Sequence, residues 1–400
     1  MKLLFIADGR SPIARNWIRH FISEGSKVHL ISTSACPELS GLAALHTVPV
    51  AFSGLRRSGA GGMEPGSLTS SRTITLRTLI RHWLGPVTVG RAAKQARRLI
   101  SEIEPDLVHA MRVPFEGALA AAANPNSPLL VSIWGNDFTL HAPASPMMRR
   151  LTRRVISRSD ALHTDNRRDA FLASDWGFAS DRPQLVLPGN GGVRRETFYA
   201  GAPGRAEHPT LTRVLESLAP EAPVVVNPRG FRAYVRNDTF FKAIPEVLKR
   251  MPSAAFLCPN MAGQRVAEEW IKRLEIADSV HLLPKLTPSD LAVVFRRAQV
   301  SVSPSEHDGT PNTLLEAMAC GAYPVAGDLQ SIREWIEDGK NGTLLDPASV
   351  DELAEGITRA LEDAEIRERA ATINIQIIER RADYEQGMQR ARAFYEELLA

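Results

Sequence analysis

Apolar and polar positions change period in a regular way along the chain. Lys2–Ala7 is a nearly continuous apolar run closed by Asp8-Gly9, the pattern of a strand buried on both faces. Ile13, Trp17, Ile18, Phe21 and Ile22 then recur at helical spacing, Gly25 ends the run, and Val28–Ser32 returns as a strand. A strand–helix–strand unit of this kind opens a doubly wound parallel sheet. Further short apolar runs predict strands at Val48–Phe52, Asp106–Ala110, Leu129–Ile133, Ala161–Thr164 and Gln184–Leu187. Ser53–Ser71, rich in Gly, Ser and Arg, reads as a mobile loop, and the turn-rich stretches from Pro188 to Gly192 and from Ala200 to Pro209 read as a linker.

A second series starts at Val224–Asn227. It predicts strands at Ala254–Leu257, Val280–Leu282, Val300–Ser303, Tyr323–Ala326 and Gly342–Leu344. Helices are expected at Thr239–Met251, Arg265–Leu274, Pro288–Arg297, 311–320, Ile332–Asp338 and Val350–Glu362, and over most of 364–400. The fold class is therefore α/β, with two Rossmann-like parallel-sheet domains, 1–195 and 205–380, facing each other across a ligand cleft. In sheets of this type ligands bind at the carboxyl ends of the strands. Asp8-Gly9-Arg10-Ser11 lies at such an end and makes Gly9 and Ser11 candidates. Two further polar clusters follow successive strands: His109, Arg112 and Glu116-Gly117, then Trp134-Gly135-Asn136-Asp137.

Composition narrows the classes. Hydrophobic content of 44% with 23% charged residues is that of a soluble globular chain, and no apolar run reaches the eighteen residues of a membrane span. The apolar start is too short for a secretory signal, and Cys36, Cys258 and Cys320 have no metal-ligand spacing, which favours a reducing cytoplasm. The loop after the first strand lacks the dinucleotide glycine fingerprint, so a nicotinamide or flavin cofactor is not expected. Net charge divides unevenly, at +10 for residues 1–200 and −7 for 201–400. Two acid-free basic segments, 72–98 and 146–159, fit either an anionic membrane surface at the inner face or ordinary solvated helices. No nucleic-acid partner is expected.

The most informative stretch is Ser301–Gly321, SVSPSEHDGTPNTLLEAMACG. Asp308 precedes the turn residue Gly309, Thr310 is placed to cap a helix, Pro311 fits its first position and Gly321 its end. Glu316 lies eight residues beyond Asp308, on a face shared with Asn312 and Thr313. A helix N-terminus suits a phosphate, and flanking carboxylates suit sugar hydroxyls. A capped surface helix with incidental acids is the plainer reading of the stretch alone.

This stretch resembles the donor-site signature of the family 4 glycosyltransferases, retaining enzymes of the GT-B fold, in which two acids stand eight positions apart in a phrase ending E-A-M-A-x-G. Tyr323-Pro324-Val325-Ala326, the turn Asp338–Leu344 and the linker phrase Leu187–Phe198 are similar to the family too. The resemblance implies a metal-independent transfer of a sugar from a nucleotide diphosphosugar, a UDP-sugar being the expected co-substrate, to an acceptor hydroxyl. It places Glu316 on the ribose, Asp308 at the transferred sugar, and the segment Gly309, Thr310, Pro311, Asn312, Thr313 at the diphosphate. It also implies that the last helix, 384–400, packs back on the first domain.

Three positions depart from the pattern. Asp308 stands where the family has Glu. Arg229 matches the phosphate-binding Arg, but Tyr234 and Val235 occupy the place of its Lys, leaving Arg232 or Arg236 to supply that charge. Trp134-Gly135-Asn136-Asp137 stands where a His is usual, so Asn136, Asp137 or His109 is expected to take that role, with Trp134 shaping the pocket. No D-x-D pair occurs, so no metal clamp is expected. The alternatives are a GT-B enzyme of other chemistry, such as an epimerase, and a non-catalytic sugar-nucleotide-binding protein. The expected products are cell-surface glycans, glycolipids or glycosylated secondary metabolites, made by a cytoplasmic or peripheral membrane enzyme.

Overall fold

The structure, a computed structural model, describes residues 1–51, 71–232 and 234–400. The expected mobile loop 53–71 lies, apart from Ser71, outside the described residues. The chain divides into two units. The first contains β1 (Lys2–Ala7), α1 (Pro12–Ser23), β2 (Lys27–Ser32), β3 (Ala44–Thr47), α2 (Ser71–Ile103), β4 (Leu107–Ala110), α3 (Ala118–Ala123), β5 (Leu129–Ile133), α4 (Pro146–Arg158), β6 (Ala161–Thr164), α5 (Arg167–Asp175) and β7 (Gln184–Val186). Its seven strands are all parallel, in the order β3-β2-β1-β4-β5-β6-β7, so the winding reverses between β1 and β4.

The second unit contains α6 (Pro209–Ser217), β8 (Val224–Val226), α7 (Asn237–Arg250), β9 (Ala255–Cys258), α8 (Arg265–Leu274), β10 (Val280–Leu282), α9 (Pro288–Arg297), β11 (Val300–Ser303), α10 (Asn312–Ala319), β12 (Tyr323–Gly327), β13 (Thr343–Leu345), α11 (Val350–Glu362) and α12 (Ala364–Arg381). Six parallel strands run in the order β10-β9-β8-β11-β12-β13, with the reversal between β8 and β11. Alternation along β8 shows why its run is wholly apolar. Val224 and Val226 enter the core beneath α9 and α10, while Val225 enters the opposite core beneath α7 and α11.

The final helix, α13 (Tyr384–Leu399), belongs from Glu385 onward to the first unit. Tyr395 stacks on Phe21 with ring centroids 4.4 Å apart, and its hydroxyl lies 2.5 Å from Nδ1 of His109. Gly387 sets the close approach: a Cβ there would stand 2.0 Å from the carbonyl oxygen of Gly191, a backbone atom with little room to move. Gly387→Ala is expected to destabilise the fold by about 1–3 kcal/mol, the usual range for overpacking. A fall in the urea midpoint with an unchanged m-value is the measurement that checks it.

Two expected elements differ. The third strand is Ala44–Thr47, paired from His29–Ala44 to Ser32–Thr47, and not Val48–Phe52. Edge position explains the misreading: β3 is half-exposed and lacks an apolar run, whereas Val48 and Val50 are buried as the chain leaves the sheet. Ile332–Asp338 forms turns instead of a helix. There Asn341 donates to the Trp335 carbonyl at 3.0 Å and accepts from the Glu337 amide at 2.7 Å, which takes backbone groups a helix would need.

Candidate functional site

In the second unit, two loops at the winding reversal are built as one piece. Asn227, at the end of β8, accepts from the Arg229 amide at 3.1 Å and donates to Asn237 Oδ1 at 3.1 Å. Asn237 in turn donates to the Gly230 carbonyl at 2.8 Å. Gly230 has φ +62°, a conformation that favours glycine, and a Cβ there would also lie 2.9 Å from Asn260 Nδ2. Val235 pairs with Ser305 in an antiparallel bridge. The Arg236 amide donates to Pro304 and the Glu306 amide to Tyr234, each at 2.9 Å.

This bracing brings Arg229 to Asp308. The guanidinium Nη2 pairs with Asp308 Oδ2, Nη1 reaches Thr313 Oγ1 at 3.4 Å, and the buried Nε has no acceptor among the described residues. Asp308 is fixed by its own loop: Oδ1 accepts from the Gly309 amide at 3.2 Å, and its carbonyl accepts from Ser331 Oγ at 2.8 Å.

Thr310 does not cap the helix. Its buried hydroxyl accepts from Trp335 Nε1 at 3.1 Å, and α10 begins at Asn312 with Pro311 in the cap position and no side-chain cap. Asn312 and Thr313 are half-buried on the first turn, and Glu316 is half-buried one turn further on. Burial pushes the Glu316 carboxyl up to about 7.

Arg232 and Arg236 take different parts. Arg232 lies on the loop and donates to the Tyr234 hydroxyl at 3.0 Å. Arg236 forks onto Asp238 at 2.9 and 3.0 Å and reaches Glu306 at 2.7 Å. Asp238 is thereby drawn down to about 2. With two carboxylates on it, Arg236 is a brace between the loops and not the spare cation expected from sequence.

The carboxyl ends of β1, β4 and β5 form a second polar cluster in the first unit. The Gly9 amide donates to Ser32 Oγ at 3.0 Å, and a Cβ at Gly9 would stand 2.4 Å from Cys36 Sγ. Ser11 caps α1, accepting from the Ala14 amide at 3.4 Å. Asp137 is buried: it accepts from Arg112 Nε at 2.9 Å and from the amides of Val113 and Trp134 at 3.1 and 3.2 Å. Burial raises its carboxyl, and Arg112 opposes the rise. Asn136 Oδ1 accepts from Arg112 Nη2 at 2.9 Å, and the Arg112 guanidinium stands 5.9 Å from the centre of the half-buried Trp134 ring. Asp137 therefore positions Arg112 and the Trp134 loop and offers no exposed carboxylate for catalysis.

His109 is likewise corrected. It is buried beside Phe5 and Trp17, with Nε2 2.7 Å from Ser132 Oγ and Nδ1 on Tyr395. Ser132 continues to His163, whose Nε2 lies 2.9 Å from the Leu187 carbonyl. Burial and the neighbouring His163 hold His109 well below the ordinary histidine range. Both ring nitrogens serve the core, because the strand points this side chain beneath α1 and α13.

Residues outside the expected set hold these loops. Arg168 donates to the Gly135 carbonyl at 2.7 Å while paired with Asp169, whose carboxyl burial pushes up to about 6. Asp165 accepts from the Gly135 amide at 3.2 Å. Arg112, two positions after β4, was the one member legible from its polar cluster. Among the described residues no group of three His, Cys, Asp or Glu side chains is placed to hold a metal ion, and no helix is long and apolar enough to cross a membrane.

Comparisons with known proteins agree with this architecture. Residues 9–189 match the family model of the glycosyl transferase 4-like domain, and residues 216–376 that of glycosyl transferases group 1. A D-inositol 3-phosphate glycosyltransferase of Thermobifida fusca is 26% identical over 216 residues, covering 52% of this chain and 48% of that protein. One from Paenarthrobacter aurescens is 32% identical over 202 residues, covering 49% and 47%. The chain thus spans about half the length of the curated relatives it matches. Among solved structures, sucrose-phosphate synthase of Thermosynechococcus elongatus superposes with a TM-score of 0.74 at 14% identity, covering 100% of this chain and 99% of that one. Anabaena HepE in complex with UDP superposes with a TM-score of 0.71 at 14% identity, covering 99% and 100%. With two family models matched in succession along two parallel-sheet domains, the chain belongs to the family 4 glycosyltransferases and has their GT-B fold.

Proposed function

We propose that the protein is a retaining glycosyltransferase that moves a sugar from a nucleotide diphosphosugar to an acceptor hydroxyl. The observation that carries this reading is the convergence of Arg229, Asp308, the uncapped first turn of α10 and Glu316 at the winding reversal of the second sheet. As the donor reacts, positive charge grows on the sugar ring and negative charge on the departing diphosphate. Arg229 and the amide end of α10 would stabilise the diphosphate, Asp308 would orient the sugar, and Glu316 would accept from the ribose hydroxyls. The leaving phosphate itself takes the proton of the incoming hydroxyl, so a dedicated general base is not required.

UDP is the donor nucleotide we favour, because Anabaena HepE is similar in fold and was solved with UDP and with UDP-glucose. On the acceptor side, Arg112 held by Asp137 and Asn136 presents a cation beside Trp134. The relatives named for inositol 3-phosphate support a hydroxyl acceptor that bears an anionic group. Incubation with a panel of UDP-, GDP- and ADP-sugars and hydroxyl acceptors, with nucleoside diphosphate release as readout, tests the reading. Sugar transfer with the anomeric configuration of the donor kept is the expected result. Tight nucleotide binding without release across the panel would assign the protein to non-catalytic binding instead.

A further inference from the structure

On the first unit, α2, α3 and α4 enclose a groove of about 490 Å³. Its lining combines small apolar side chains, including Val89, Ala93, Ala118, Ala122, Leu151 and Val155, with Lys94, Arg97 and Arg154. The helix that forms one wall, α4, is strongly two-faced. Met148, Thr152, Val155 and Ile156 are buried, whereas Arg149, Arg150, Arg153 and Arg154 are exposed with no carboxylate partner among the described residues. Some exposed arginines elsewhere have such partners, as Arg98 has Glu102 and Arg250 has Glu355 and Glu362, while others, among them Arg213, Arg359 and Arg369, have none among the described residues; what sets α4 apart is four such cations within six positions of one acid-free helix. Two large apolar side chains also stand in solvent on these helices, Trp83 on α2 at 47% exposure and Met147 on α4 at 38%.

We infer that this face docks on an anionic bilayer, with the arginines of α4 on the lipid headgroups and an acyl chain entering the groove. The helix cannot insert, because its apolar side already packs in the protein core. Attachment must therefore come from the outward charges and from the apolar cavity between the helices. Unpaired cations arrayed beside an apolar groove complement a surface that is anionic outside and hydrocarbon within. This inference stands independently of the donor site, since it concerns residues of the first unit alone.

The test uses the full chain and large vesicles, without nucleotide. Sedimentation with vesicles of phosphatidylcholine containing one-third phosphatidylglycerol is compared with pure phosphatidylcholine, at low and high salt. Binding only to the anionic vesicles, weakening with salt, is expected. The combined variant Arg150→Gln, Arg153→Gln, Arg154→Gln alters exposed side chains only, and should lower the partition constant about a hundredfold. The groove is probed separately by Gly90→Phe. Gly90 is an exposed helical residue lining it, with nothing within 4 Å of an added Cβ. That variant should keep its melting temperature and bind anionic vesicles more weakly. Equal binding to neutral vesicles, or an unchanged partition constant in the triple variant, would overturn the inference. So would Gly90→Phe binding as tightly as the parent, or tighter binding to a single-stranded oligonucleotide than to anionic vesicles.

Discussion

Arg229→Ala should abolish most of the transferase activity, with kcat/KM falling by about a thousandfold or more. Such losses accompany removal of a preorganised donor facing developing negative charge. Two effects combine at this site. The variant loses the guanidinium that would face the diphosphate, and it leaves the Asp308 carboxylate, only 14% exposed, without its cation. Breaking a buried pair from one side destabilises a fold by about 3 kcal/mol. The two effects separate experimentally. In the double variant Arg229→Ala, Asp308→Asn the stranded charge is gone, so thermal stability should largely return while activity stays low. Full activity in either variant would remove Arg229 from the proposed machinery.

The pairing bears on how a donor would bind under the proposed function. Arg229 is paired with Asp308, so on the proposed reading a diphosphate would compete with that carboxylate. With the guanidinium turned to phosphate, Asp308 would accept from sugar hydroxyls. A donor that carries both groups satisfies both partners at once, whereas a nucleoside diphosphate alone satisfies one. Asp308→Asn should therefore bind UDP more tightly than the parent while turning over UDP-sugar more slowly, as isothermal titration and steady-state kinetics would record.

Nucleotide affinity should rise with pH up to about 7 and then level off. Burial raises the Glu316 carboxyl to about 7. If Glu316 accepts from ribose hydroxyls, those bonds would favour the carboxylate, lower its pKa on binding and release a proton. The sign follows: below about pH 7 binding must first ionise the group, and affinity drops by about tenfold per unit until the bound-state pKa is reached. Glu316→Gln should flatten this profile and weaken binding by about a hundredfold at neutral pH, an ionised acceptor being worth roughly twice a neutral one. Calorimetry in two buffers of different ionisation enthalpy reads the released proton directly, and no buffer dependence at pH 6 would count against the ribose role. The same shift should make the fold more stable at pH 5.5 than at pH 7.5, by about 2 kcal/mol. The raised folded pKa means that the native state binds more protons than the unfolded chain over that interval.

The amino-acid sequence determined both sheets apart from the edge strand β3, because buried parallel strands must be continuous apolar runs and their helices must be amphipathic. Val224–Val226, Leu129–Ile133 and Ala161–Thr164 are legible for that reason. It also determined the stretch that carries Asp308 and Glu316, whose turn and helix signals are local in the chain. Elements whose form depends on distant partners were not legible. The half-exposed edge strand β3 exists because β2 offers it a ladder, and Ile332–Asp338 forms turns where Asn341 takes the Trp335 carbonyl and the Glu337 amide.

What the polar residues do depends on partners distant in the chain. Thr310, read as a cap, is spent on Trp335, twenty-five positions away in sequence. His109 and Asp137 carry the residue types of catalysis, yet both are enclosed, one by Tyr395 from the last helix and the other by Arg112. Arg236 has the charge the site requires but is held by Asp238 and Glu306. Residue type and spacing specify where a side chain starts. Its partner, and with it its charge and reach, is set by which strand ends the fold brings together, and for Arg229 that partner is Asp308.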